Sequence, residues 1–118
     1  MKNLMWAALP VLISTSAFAG TVTVACDYAK AKSAKSVKAH PRDLIVVSAA
    51  SNATTGYSWV SKEGHQSRYD QNGGPAIGAG GTQVFEINAK KDEVLTFEYK
   101  RAWESKAVSV CKVKVTID

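Results

Sequence analysis

The 118-residue sequence has only two cysteines, two histidines and three prolines. His40 and His65 stand apart from each other and from any cysteine. The five Asp and five Glu show no pairing that suits one site, so neither a metal-ligand cluster nor an acid–base pair is legible. The chain is also too short for a nucleotide-binding α/β enzyme of ordinary size, and an enzymatic role finds no support. No cofactor is implied. Beyond the N-terminus there is no uncharged apolar run of membrane-spanning length, and no convincing helical period. The formal charge of +5 favours acidic partners, but the lysines do not cluster around aromatics or a base-reading motif, which excludes nucleic acid as the expected partner. With 46% hydrophobic and 21% charged residues, the composition is that of an ordinary globular domain.

The first residues read differently from the rest. Lys2 precedes a mostly apolar stretch from Leu4 to Ser14, and Ala17-Phe18-Ala19 stands before Gly20. That order is a secretory signal peptide with an A-x-A cleavage site. The apolar stretch is too short for a membrane anchor and is interrupted by Pro10. A lipoprotein would need Cys26 as its acylated residue, but no Leu stands three positions before it. The expectation is a signal peptide over 1–19 and one exported domain over 20–118, periplasmic or secreted, monomeric, and off the membrane once cleaved. In such a compartment Cys26 and Cys111 are expected to form a disulfide. Two buried free thiols are the alternative. Alternation supports the pair, because Cys26 shares a face with Val22 and Val24, and Cys111 with Val113, Val115 and Ile117.

The body of the chain is a series of short segments rich in Val, Ile, Thr and aromatics, alternating with period two: 21–26, 43–49, 57–61, 82–88, 93–100 and 107–117, with a weaker one at 66–70. About seven short strands in a domain this small predict an all-β, immunoglobulin-like β-sandwich. Residues 29–41, with Lys30, Lys32, Lys35 and Lys38 among Ala and Ser, read as a solvated connection or a lysine-protected sheet edge. A patch for anionic partners is the sharper reading of the same run.

Three inter-strand segments look chosen for contact. Asn52-Ala53-Thr54-Thr55-Gly56-Tyr57 combines a glycine free to take positive φ with three side chains that bond locally. Residues 73–81 hold five of the eight glycines, ending Gly78-Ala79-Gly80-Gly81, without the Lys-Ser or Lys-Thr of a phosphate loop. Arg101-Ala102-Trp103 follows a strong strand and pairs two residue types enriched at binding hot spots, although Trp103 also suits a core position at a strand end. Alternate loops of a sandwich emerge at one end, so these three would stand side by side as one binding edge.

In their order, these three segments resemble the motifs of the chagasin-like inhibitors of papain-family cysteine peptidases: Asn-Pro-Thr-Thr-Gly-aromatic, Gly-x-Gly-Gly, and Arg-Pro-Trp or Arg-Pro-Phe. The resemblance runs from about Asp43 to the C-terminus. It implies an immunoglobulin-like fold and reversible, competitive inhibition by a three-loop wedge. Thr54 and Thr55 would lie near the catalytic Cys and His of the peptidase, with Gly78–Gly81 on one side and Arg101 and Trp103 on the other. Ala53 and Ala102 occupy positions where the family has Pro, and the cysteine pair is not a general family feature. The other functions weighed are an exported carbohydrate-binding module using Trp103 and Tyr57, and an inhibitor of a different exported enzyme such as a lysozyme.

Overall fold

The computed structural model describes residues 20–71 and 80–118. Residues 1–19, the expected signal peptide, lie outside them, as do Gly78 and Ala79 of the glycine-rich loop. Eight strands are present among the described residues: β1 (Thr21–Cys26), β2 (Lys32–Ala39), β3 (Leu44–Ser51), β4 (Tyr57–Ser61), β5 (Ser67–Gln71), β6 (Gly81–Asn88), β7 (Glu93–Arg101) and β8 (Ser109–Ile117). They form two four-stranded sheets, one ordered β1-β3-β6-β5 and the other β2-β8-β7-β4. The all-β sandwich expected from alternation is what forms.

The additional strand is β2, inside the stretch expected to be a solvated connection. It pairs in parallel with β8, Lys32 opposite Val110 through Ala39 opposite Ile117. As the last strand of its sheet it has the lysine-protected edge that was the other reading of this run. Only Val37 and Ala39 turn apolar side chains onto the core, and Lys35, in register with Val113, stays exposed at the edge.

The pairing fixes strand direction. β1 runs parallel to β3, β2 runs parallel to β8, and every other pair is antiparallel. All odd-numbered strands therefore run toward one end of the sandwich and all even-numbered strands away from it. The connections 27–31, 52–56 and 102–108 consequently share that end with the last residue of β5, Gln71, and the first of β6, Gly81.

Between the sheets, Phe85 of β6 meets Phe97 of β7 with ring centroids 4.7 Å apart. Ile45, Val47, Leu95, Val113 and Val115 close around them, essentially without solvent exposure. Full burial of each such side chain stabilises by about 1.5–3 kcal/mol. Cys26 and Cys111 are bonded, with Cα atoms 6.0 Å apart, and tie β1 in one sheet to β8 in the other. A second tie is polar. The buried amide of Gln83 accepts the Trp59 N–H at 2.6 Å and donates to the Trp59 carbonyl at 3.0 Å, joining β6 to edge strand β4 of the opposite sheet.

Candidate binding edge

The 52–57 segment forms a closed local network. Ala53–Thr55 make one 3-10 turn. The Asn52 carboxamide oxygen accepts the Thr54 N–H at 3.2 Å and the Thr54 hydroxyl at 2.7 Å. The Asn52 carbonyl accepts from both the Thr55 hydroxyl, at 2.8 Å, and the Thr55 N–H, at 3.2 Å. Thr55 Oγ1 in turn accepts the Tyr57 N–H at 3.3 Å. Side chains that bond their own backbone set a tight turn without outside help. Gly56 then reverses the chain at φ +82°, a conformation in which a side chain is strained. Thr54, Thr55 and Gly56 are exposed at the tip.

Long-range contacts support the turn from beneath. The Asn52 N–H donates to the Tyr99 hydroxyl at 3.2 Å, and Trp59 Nε1–H donates to the Ala50 carbonyl at 2.8 Å. Tyr57 is half-buried and stacks on Tyr99, with centroids 5.5 Å apart. It is therefore partly a packing residue rather than the freely exposed ring a sugar platform requires.

The third segment lies against the first. Arg101 is the last residue of β7, opposite Tyr57 in register. Its guanidinium carbon is 4.7 Å from the Tyr57 ring centroid and 5.3 Å from that of Trp103. Glu104 fixes the arrangement: its carboxylate accepts from Arg101 Nη2 at 3.0 Å and from the Arg101 N–H at 3.2 Å, while the Glu104 N–H donates to the Arg101 carbonyl at 3.0 Å. These bonds hold the Glu104 carboxyl below its usual pKa and raise that of Arg101. With its charge satisfied there, Arg101 acts as a splint between two aromatic rings. Trp103 is 74% exposed, which rules out the core role its position also allowed. A β-carbon on Gly56 would lie 3.7 Å from Arg101 Cδ and 3.8 Å from the Trp103 ring, so the two loops are in near contact.

Of the glycine-rich segment, Gly80 and Gly81 are described. Gly81 pairs with Ser51 of β3 and Gln71 of β5, which brings this loop's end beside the start of the 52–57 turn. A β-carbon on Gly81 would collide with the Tyr69 ring and lie 2.7 Å from the Asp70 carbonyl oxygen, so glycine is required for the strands to close here. Gly80 is exposed. Asn52, Ala53, Thr54, Thr55, Gly56, Tyr57, Gly80, Gly81, Arg101, Ala102 and Trp103 thus meet at one end of the sandwich. Gln83 and Tyr99, which help to hold them, are not marked by the sequence, and Glu104 is marked only as the residue after Trp103, because their roles arise from pairing with distant strands or from turn geometry.

The model of the chagasin family of I42 peptidase inhibitors matches residues 38–117. No curated protein sequence matches the chain. Solved structures do. The cysteine protease inhibitor EhICP2 from Entamoeba histolytica is 16% identical, with a TM-score of 0.60 over 83% of this chain and 97% of that one. Amebosin is 20% identical, with a TM-score of 0.58 over 82% and 98%. PbICP-C, solved in complex with falcipain-2, is 12% identical, with a TM-score of 0.60 over 84% and 99%. At such identities the likeness is one of fold.

Proposed function

The chain belongs to the chagasin family of peptidase inhibitors, and from that premise we propose that its loop end closes the active-site cleft of a papain-family cysteine peptidase. The protein is a cysteine peptidase inhibitor, not an enzyme. The observation that carries the assignment of roles is the self-bonded 52–57 turn with its exposed threonines. A peptidase cuts a chain lying extended across its nucleophile. A 3-10 turn whose Thr55 N–H and hydroxyl both close onto Asn52 fills the same space without offering that extended form.

In this reading Thr54 and Thr55 sit against the catalytic Cys and His. Gly78, Ala79, Gly80 and Gly81 clasp one side of the cleft, where small residues allow close backbone approach. Trp103 packs on the other side, splinted by Arg101 and joined by Ala102. Affinity then comes from pre-organisation and a large aromatic anchor. No covalent bond forms. The direct test is protection of the peptidase's catalytic thiol: with equimolar inhibitor, alkylation by a small iodoacetamide reagent should slow strongly. An unchanged rate with inhibitor bound would overturn cleft closure.

Export with cleavage after Ala19 belongs to the same proposal. The A-x-A order supports it, and so does a local feature of the fold. The Gly20 N–H donates to the buried Asp43 carboxylate at 3.0 Å, so a chain beginning at Gly20 would place its ammonium group on that carboxylate. Intact-mass measurement of the protein recovered from the exporting cell should give an N-terminus at Gly20. Retained Met1, or a lipid on Cys26, would overturn it.

A further inference from the structure

The end of the sandwich that carries the three loops carries a fourth, residues 27–31, between β1 and β2. It is hidden in the sequence because no local pattern distinguishes strand β2 from a solvated connection. It also lies outside residues 38–117, the part matched by the family. We propose that this loop is a fourth peptidase contact and that Tyr28 is its specificity-determining residue, meeting an apolar or aromatic patch with acidic neighbours on the enzyme surface beside the cleft. The proposal rests on the inhibitor reading above and deepens it.

The loop is fixed at both ends. It leaves β1 at Cys26, bonded to Cys111 of β8. It enters β2 where the Val110 N–H donates to the Ala31 carbonyl at 2.9 Å. Between those points the Asp27 carboxylate accepts the Ala29 N–H at 2.9 Å, closing a tight turn. The Tyr28 carbonyl accepts the Ser109 hydroxyl at 2.7 Å. The disulfide thus stands at the base of this loop as well as between the sheets.

Tyr28 is both held and available. Its ring stacks on Tyr99, with centroids 4.9 Å apart and planes at 10°, and yet the residue is 42% exposed. Tyr99 is the same side chain that supports Tyr57 and hydrogen-bonds the Asn52 N–H. A continuous series of stacked groups therefore runs from the Tyr28 ring through those of Tyr99 and Tyr57 to the Arg101 guanidinium and the Trp103 indole. Exposed aromatics held rigid before binding lose little entropy on docking, which is the usual character of a hot-spot anchor. Asp27 precedes Tyr28 and Lys30 and Lys32 follow it, both lysines exposed and in no ion pair among the described residues. The stretch around the phenol ring therefore carries a small excess of positive charge, which fits an apolar patch with acidic neighbours.

The test uses the purified protein and a papain-family peptidase that it inhibits. Hydroxyl-radical footprinting should show Tyr28 protected in the complex. Tyr28→Ala should raise the inhibition constant by about tenfold or more, in the range of hot-spot truncations. Tyr28→Phe, which keeps the stack on Tyr99, should stay within about threefold of wild type. Tyr28 equally reactive free and bound, or an unchanged constant for Tyr28→Ala, overturns the fourth contact while inhibition by the wild-type protein leaves the three-loop reading standing. Loss of affinity in Tyr28→Ala with no protection of Tyr28 in the wild-type complex also overturns it, because the residue would then only support Tyr99. A wild-type protein that inhibits no papain-family peptidase overturns the underlying reading instead.

Discussion

The Asn52 N–H donates to the Tyr99 hydroxyl across a sequence separation of 47 residues. Through this bond the core-facing side of β7 holds the start of an exposed turn, so the loop tip is as well placed as the sheet beneath it. Tyr99→Phe deletes the acceptor and leaves the ring stacks in place. The expected cost is about 1 kcal/mol in unfolding free energy, with inhibition weakened by up to about fivefold. Urea unfolding and inhibition kinetics on the same preparation check both.

Trp103 touches little of its own protein beyond Arg101 and the neighbourhood of Gly56. Trp103→Ala should therefore leave the melting temperature nearly unchanged and weaken inhibition by at least about 30-fold, the fold-change of a ~2 kcal/mol hot spot. A variant with unaltered inhibition would remove Trp103 from the interface.

Ala53 and Ala102 stand where the motifs that their segments resemble have proline, and the Ala102 N–H donates no hydrogen bond among the described residues. Proline at either site would restrict the loop before binding, and at 102 it removes no donor in use. Ala53→Pro and Ala102→Pro are each expected to tighten inhibition by about two- to fivefold, the equivalent of ~0.4–1 kcal/mol. Isothermal titration should show the gain as a smaller entropic penalty.

How far the sequence reveals this depends on how local each interaction is. Strands β7 and β8 were legible because Leu95, Phe97 and Tyr99, and Cys111, Val113 and Val115, alternate without interruption. The 52–57 turn was legible because Asn and Thr act on backbone a few residues away. Strand β2 was not. Its pairing runs through backbone groups to β8, at the far end of the chain, and it offers the core only Val37 and Ala39. Missing that strand also concealed the 27–31 loop and the stack of Tyr28 on Tyr99, contacts made across 71 positions that no local pattern encodes. Likewise nothing near Gln83 in sequence marks it as the bridge to Trp59 in the other sheet.

The acid limit of stability should follow from two carboxyls held below their ordinary pKa values. Asp43 is lowered by N–H bonds from His40 and then Gly20, and Glu104 by its bonds to Arg101. A carboxyl whose folded pKa is depressed contributes stability that is complete above its unfolded pKa and is lost as pH falls through its folded pKa. The contribution of these groups to the melting temperature is therefore expected to be complete and constant between pH 7 and about 5, and to be lost progressively below roughly pH 4. Asp43→Asn should lower the neutral plateau and flatten the acid slope. A wild-type protein whose stability rises on acidification below pH 4 would contradict this.

Cys26–Cys111 closes a loop with a sequence separation of 85 between the two sheets. Its removal is expected to cost up to about 4–5 kcal/mol by the chain-entropy argument. Urea unfolding of the protein with and without reductant reads this directly, and a midpoint unmoved by reduction would show the bond to be dispensable.

The central claim is that this loop edge inhibits papain-family cysteine peptidases. Titrating the purified protein and its Thr55→Arg variant against papain and a cathepsin-L-like peptidase with a fluorogenic peptide tests it most directly. The account predicts competitive, stoichiometric loss of activity with the wild-type protein, and little or none with Thr55→Arg at equal concentration and intact fold. Full activity at micromolar wild-type protein, or equal inhibition by both, would contradict it.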